Sequence, residues 1–300
     1  MKKVVIVGLG NVGTGYLNAL ITEPNLVNEI VLIDTNKDKL EGEFLDVSDS
    51  IAVINSSIKV YIGSYADVKD ADILVICAGK NQDKGETRLD LLNINAKIVK
   101  SITENAILNG FKGIFVIATN PVDVMSYLVY KVSNMSPNRV IGSGTILDTS
   151  RLKNIIKEKT NMSTNDININ VIGEHGDNLV ILWSKGTVNM IPINEIFSDI
   201  EIGIMDEKLR NSAYEIINRK GYTSQGISLS LLEITKAILN NENKVLNIST
   251  YYKGIYIGMP SLVNIDGVKG VVNFDCSEKE KNDIERSISV LKNAIDDMEV

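Results

Sequence analysis

Six short runs rich in valine and isoleucine punctuate the first half of the chain: Lys3–Val7, Glu29–Asp34, Ile58–Ile62, Ile73–Cys77, Gly113–Ala118 and Arg139–Gly142. Most are apolar at successive positions rather than alternate ones, so each strand needs cover on both faces. Helical patterns fit between them at Val12–Thr22, Lys37–Ser50, Thr87–Leu108 and Val122–Lys131. Strands buried on both sides and joined by helical crossovers predict an α/β protein built on a doubly wound parallel sheet.

Beyond residue 143 the rhythm changes. Asp148–Lys159 predicts a helix, followed by short strands at Ile169–Gly173, Leu179–Trp183 and Val188–Ile191. Helices are expected at Asp206–Lys220 and Ser224–Leu239, then strands at Val245–Tyr252, Ser261–Ile265 and Val268–Phe274. Asp266-Gly267 marks a hairpin turn between the last two. Ser277 and Glu280 form a capping box opening a final helix toward Met298. The chain therefore divides into residues 1–143, the doubly wound unit, and residues 144–300, a mixed α+β unit. No repeat or linker separates them.

Composition narrows the chemistry. Among 300 residues there is one histidine, there are two cysteines, and the net charge is −7. An acidic chain of this kind lacks the basic stripe of a nucleic-acid binder. Cys77 and Cys276 lie far apart in sequence, which fits a reducing cytoplasm and offers no thiolate metal cluster. A lone His175 excludes every site built on two imidazoles, and one imidazole beside the carboxylates of Glu174 and Asp177 is poor metal geometry, so no metal centre is expected. No run approaches the roughly 20 apolar residues that span a bilayer. The opening Met1–Val7 stretch is broken by glycines too soon for a signal peptide.

Those glycines read as a site. In Gly8-Leu-Gly-Asn-Val-Gly13, Gly8 permits a tight turn, Gly10 lets a pyrophosphate approach the backbone, and Gly13 lets helix and strand pack closely. The helix N-terminus then offers free N–H groups to phosphate. Asp34 ends the next strand, where a carboxylate takes the ribose hydroxyls and repels a 2′-phosphate. The pattern is a Rossmann fingerprint favouring NAD over NADP. Tyr127 and Lys131 have the Tyr-x-x-x-Lys spacing of short-chain dehydrogenases, but the glycine pattern differs from theirs, and the helix is explained as cover for the sheet.

Six arginines stand against twenty-five lysines, so arginine placement is informative. Arg88 follows a polar loop from Gly79 to Gly85, after the Ile73–Cys77 strand, with the glycines expected of a mobile lid. Asp148 and Arg151 share one helix face. His175 lies between glycines in Gly173-Glu-His-Gly-Asp177, just after an apolar strand. Taken singly, these residues also suit a surface ion pair, a solvated loop charge and a structural histidine.

Together they resemble the NAD-dependent lactate/malate dehydrogenase family over nearly the whole length. The matching stretches are Gly8–Gly13, Gly85-Glu-Thr-Arg-Leu89, Thr119-Asn-Pro-Val-Asp123, Ile141-Gly-Ser-Gly-Thr145, Leu147-Asp-Thr-Ser-Arg151, Gly173–Asp177 and Lys220-Gly-Tyr-Thr-Ser224. The resemblance implies an oxidoreductase that moves a hydride between NAD and a small 2-hydroxy acid. It assigns His175 as acid and base, Asp148 as holder of its ring, Arg151 as grip on the substrate carboxylate, Arg88 as polariser of the carbonyl, and Asn120 as a donor to the substrate oxygen. It places Asn11, Val12, Lys39, Tyr65, Gly79, Asn95, Thr119, Asn120 and Ser143 around the cofactor, beside Gly8, Gly10, Gly13 and Asp34. It also implies a homo-dimer or homo-tetramer in the cytoplasm, with no membrane or nucleic-acid partner.

Substrate choice follows from the same resemblance. Malate-specific members carry arginine six residues before Arg88, whereas this chain has Gln82, as lactate dehydrogenases do. A neutral amide cannot neutralise a second carboxylate, which points to lactate and pyruvate. Thr223 matches a threonine beside the substrate methyl group. Gln225 stands where vertebrate members have a large aromatic, so a broader pocket for branched 2-hydroxy acids is the alternative, followed by malate. Lys153 and Asn168 replace the arginine and histidine with which some bacterial members bind fructose 1,6-bisphosphate, so activation by that effector is expected to be weak.

Overall fold

The computed structural model describes residues 1–80 and 88–299. The first half alternates as expected: β1 (Lys3–Val7), α1 (Asn11–Ile21), β2 (Glu29–Ile33), α2 (Lys37–Val53), β3 (Lys59–Ile62), β4 (Ile73–Ile76), α3 (Arg88–Leu108), β5 (Ile114–Ile117), α4 (Val122–Ser133) and β6 (Val140–Gly142). The six strands are parallel in the order β3-β2-β1-β4-β5-β6. Successive residues go to opposite faces. Val4, Ile6, Ile30, Leu32, Ile73 and Val75 pack under α1 and α2, whereas Val5, Val7, Val31, Ile33, Leu74 and Ile76 pack against α3 and α4. Two-sided burial is why the strands read as unbroken apolar runs. The order reverses direction between β1 and β4, which opens a crevice at their carboxyl ends.

The second half comprises α5 (Ile146–Thr160), β7 (Ile167–Asn168), β8 (Val171–Gly173), β9 (Leu179–Ile181), β10 (Thr187–Val188), β11 (Ile191–Pro192), α6 (Ile193–Ile196), α7 (Asp199–Lys220), α8 (Gln225–Leu239), β12 (Lys244–Tyr252), β13 (Ile255–Asn264), β14 (Gly267–Val271) and α9 (Glu278–Asp296). The sheet does not stop at residue 143. Among the described residues it continues from β6 through β12, β13, β8 and β9, with β14 also on β13, to make 11 strands. Its new strands pair antiparallel. The junction is narrow, Ser249 of β12 against Gly142 of β6. A Cβ on Gly144 would lie 2.2 Å from the Ser249 nitrogen, so the seam requires glycine.

The structure corrects three expectations in this half. The single strand at Val188–Ile191 is two short strands, β10 and β11, turned back on each other by Asn189 and Met190, both at positive φ (47° and 69°). The helix expected from Asp206 begins seven residues earlier, at Asp199, where Ser198 and Glu201 form a capping box. β13 starts at Ile255 rather than Ser261, running through Gly258 and Pro260. The hairpin onto β14 is present, with Asn264 opposite Gly267 and Gly267 at φ 95°.

Candidate active site

The residues expected around a dinucleotide gather at the carboxyl edge of the parallel strands. Gly8 leaves β1 at φ 95°, and a Cβ there would lie 2.4 Å from the Ala78 nitrogen beyond β4. A Cβ on Gly13 would lie 2.0 Å from the Gly8 carbonyl oxygen, so α1 can reach its position only with glycine. Around Gly10, by contrast, nothing lies within 4 Å of the Cβ position. Gly10 is also the N-cap of α1 and supplies no side-chain cap, so the first-turn N–H groups, which include those of Asn11 and Val12, have no side-chain cap from it. Open space over uncapped donors is what a pyrophosphate needs. The glycine segment therefore fits the group.

Asp34, half-buried just past β2, accepts the Leu9 N–H at 2.6 Å and the Asn36 N–H at 2.9 Å. It thus ties the glycine turn to the β2 exit, with lone pairs remaining for ribose hydroxyls. Tyr65, in the turn after β3, is half-buried, and burial pushes its phenol up to about 12. Gly79, after β4, leaves no room for a side chain, since its Cβ would lie 2.7 Å from Thr119 Cγ2. The Thr119 hydroxyl donates to the Ala78 carbonyl at 2.7 Å. Buried Asn95 on α3 accepts the Lys80 N–H at 2.8 Å and donates to the Asn120 carbonyl at 2.8 Å, bridging the exits of β4 and β5. Ser143, buried past β6, donates its N–H to the Ile117 carbonyl at 2.8 Å. Lys39 is exposed on the first turn of α2.

The catalytic candidates converge from separate elements. The His175 Nδ1 lies 2.6 Å from Asp148 Oδ2, and Asp148 Oδ1 accepts from an Arg151 nitrogen at 3.1 Å. Asp148 and Arg151 come from the first turns of α5, and His175 from the turn after β8. Burial by itself would lower the proton affinity of His175, but the charge and hydrogen bond of Asp148, joined by the charge of Asp123, hold its pKa above the ordinary value. Burial pushes Asp148 the other way, yet His175 and Arg151 hold its carboxyl below the usual range. The His175 side chain is 25% exposed.

Thr223 is half-buried just before α8. Gly226, in the first turn of α8, packs on Leu147 of α5; a Cβ there would lie 2.7 Å from the leucine. This brings the Thr223 segment beside the turn that carries Asp148. Asn120 is exposed at the end of β5, preceding a cis peptide bond to Pro121. Gln82, with the rest of the expected lid at 81–87, lies outside the described residues, as does the Arg88 side chain at the start of α3.

Sequence reasoning missed the residues that hold the histidine turn. Asp123, in the first turn of α4, accepts the His175 main-chain N–H at 2.8 Å and the Ser249 hydroxyl at 2.5 Å. Ser287 of α9 accepts the Glu174 N–H at 2.7 Å. Arg210 of α7 donates to the carbonyls of Asp177 at 2.9 Å and Leu179 at 3.2 Å. Asp123 belongs to a recognisable stretch, but an acid at a helix start also reads as a charge on the helix dipole. Only its burial reveals the second use.

The comparisons agree along the whole chain. Residues 2–142 match the family described as lactate/malate dehydrogenase, NAD binding domain, and residues 145–300 match lactate/malate dehydrogenase, alpha/beta C-terminal domain. L-lactate dehydrogenase 2 of Lactococcus lactis subsp. lactis (strain IL1403) is 43% identical over 307 residues, covering 98% of each chain. The L-lactate dehydrogenase of Bacillus pumilus (strain SAFR-032) is 40% identical over 304 residues, covering 97% of this chain and 96% of the relative. A crystal structure of the minor L-lactate dehydrogenase from Enterococcus mundtii in its ligands-bound form superposes with a TM-score of 0.95 at 40% identity, covering 98% of both chains. With fold, glycine turn and the histidine–aspartate–arginine cluster all pointing the same way, this chain belongs to the lactate/malate dehydrogenase family.

Proposed function

We propose that this chain is an NAD-dependent L-lactate dehydrogenase in which His175 is the proton donor and acceptor. The observation that carries the assignment is the 2.6 Å contact between His175 Nδ1 and Asp148, with Arg151 on the other carboxylate oxygen. Bound NAD supplies the hydride chemistry. The chain's own residues do the rest. The segment from Gly8 to Gly13, with Asp34, holds the dinucleotide. Asp148 occupies Nδ1, so the proton given to the pyruvate oxygen, and taken from the lactate hydroxyl in reverse, travels through Nε2. Arg151 has guanidinium N–H groups left after pairing with Asp148, and these grip the substrate carboxylate. Arg88 polarises the carbonyl as negative charge grows on its oxygen, and Thr223 limits the size of the substrate side chain.

Specificity is assigned to Gln82. A neutral amide leaves a second carboxylate unpaired, so pyruvate is preferred to oxaloacetate. The functional division is placed at residues 1–143 for the cofactor and 144–300 for the substrate. The chain is read as a cytoplasmic homo-dimer or homo-tetramer. Among the described residues no helix is long and apolar enough to cross a membrane.

The test is NADH oxidation with pyruvate, oxaloacetate and 2-ketoisocaproate measured side by side. Pyruvate should give the highest kcat/KM; a preference for oxaloacetate or the branched acid overturns the substrate assignment. Gln82→Arg should move the ranking toward oxaloacetate. His175→Asn should remove turnover while NADH still binds.

A further inference from the structure

The carboxylate of Asp123 is buried, titratable and unused by the proton transfer described above, yet it touches the catalytic turn. Only 2% of the residue is exposed. Each of its two oxygens accepts one hydrogen bond, Oδ2 from the His175 N–H at 2.8 Å and Oδ1 from the Ser249 hydroxyl at 2.5 Å. Both donors are neutral. A buried carboxylate held by neutral donors is costly as an anion, and burial pushes its pKa up to about 6, against the help of Ser249 and His175. Such a group gains from a nearby cation, and the ring of His175 becomes one when protonated.

We propose that Asp123 is a positioning residue for His175: it clamps the main chain of the turn while Asp148 clamps the ring, and its charge adds to that of Asp148 in favouring the imidazolium. This rests on His175 being the acid and base. The surrounding groups come from several directions. Asp148 and Arg151 face the ring from α5, and Asp123 faces the turn from α4. Glu174, inside the turn, is tied to Asn178 at 2.6 Å. β12 presents the neutral Ser249 and α9 the neutral Ser287.

Since His175 is the only histidine of the chain, one imidazole signal in an NMR titration reports its protonation without any activity measurement. Asp123→Asn keeps the geometry: the amide oxygen can accept from His175 and the amide nitrogen can donate to Ser249, so the charge alone is lost. Asp123→Ala loses both hydrogen bonds as well. In Asp123→Asn the His175 midpoint should fall by about one pH unit, and the alkaline limb of kcat/KM for pyruvate should fall with it. NADH affinity should stay within about twofold of the parent. Asp123→Ala should add a loss of kcat of roughly tenfold or more, because the turn is no longer held.

An unmoved midpoint and unmoved alkaline limb in Asp123→Asn, or a parental kcat in Asp123→Ala, overturns the proposal. Should the Asp123 variants not fold, Ser249→Ala removes the hydroxyl that favours the anion. The midpoint should then move down, by less than in Asp123→Asn, and a midpoint that stays put overturns the proposal. Turnover retained by His175→Asn would instead sink the acid–base assignment, whereas the titration of the Asp123 variants judges the clamp separately.

Discussion

Asp148 holds the His175 ring at Nδ1, at 2.6 Å, which leaves Nε2 as the nitrogen for the proton transfer proposed above. Because the folded protein raises the His175 pKa, the imidazolium persists above the pH at which a free histidine loses its proton. Pyruvate reduction needs that charged form. Its kcat/KM should therefore hold through neutrality and fall as pH rises through the raised value, while lactate oxidation rises over the same window. Asp148→Asn should shift both limbs to lower pH and reduce turnover on the order of 10²-fold. pH–rate profiles in both directions check this.

The same pair makes stability depend on pH in two senses. The raised pKa of His175 contributes stability that is complete below the unfolded value, near 6.5, and is lost as pH rises through the folded one. The lowered pKa of Asp148 contributes stability above its unfolded value, which is lost as pH falls through the folded one. Urea unfolding of Asp148→Asn across pH should show both contributions diminished.

Arg151 presents a planar fork, 15% exposed, with one nitrogen already on Asp148. Arg151→Lys keeps the charge but cannot reproduce two parallel hydrogen bonds to a carboxylate. The expected loss is about 2 kcal/mol, roughly thirtyfold in kcat/KM for pyruvate. NADH binding, followed by fluorescence, should be unchanged.

Gly10 and Gly13 separate binding from folding. Alanine at Gly13 meets the Gly8 carbonyl oxygen at 2.0 Å, backbone against backbone. Gly13→Ala should cost about 2 to 3 kcal/mol of stability. Alanine at Gly10 meets nothing within 4 Å. Gly10→Ala should fold within about 0.5 kcal/mol of the parent while binding NADH roughly tenfold more weakly. Denaturant midpoints and NADH titrations on the two variants decide it.

At the opposite edge of the sheet, Lys3 is 8% exposed and pairs with Glu29 at 3.2 Å, whose other contact is the Tyr61 hydroxyl at 2.6 Å. Lys3→Met strands a largely buried carboxylate and should cost roughly 2 kcal/mol. The Tyr61 hydroxyl bond, against the push of burial, and the Lys3 charge hold Glu29 below its ordinary pKa, a contribution lost as pH falls. Acid unfolding of Lys3→Met should begin at higher pH than in the parent, with kcat unchanged.

The parallel half was legible because two-sided burial writes itself as continuous Val/Ile runs, and Lys3–Val7 is the strand found. The failures have physical causes. Gly258 and Pro260 read as breakers, yet Gly258 is glycine because β13 passes so close to the histidine turn that a Cβ would lie 2.7 Å from the Gly173 carbonyl oxygen. Gly203 masked the first turns of α7, although Ser198 and Glu201 carried a readable capping box. Asn189 and Met190, both left-handed, broke a run that composition alone would continue. At the site, Asp148, Arg151 and His175 were legible through the family resemblance. Asp123 and Ser249 were not, since hydrogen bonds spanning 52 and 126 residues leave no local trace.

Ser249 stands at the seam where β12 meets β6, and the same residue donates to Asp123. The ledge that receives the dinucleotide and the turn that carries the imidazole are thus surveyed from one benchmark rather than across a hinge. Both landmarks are fixed to one residue of β12.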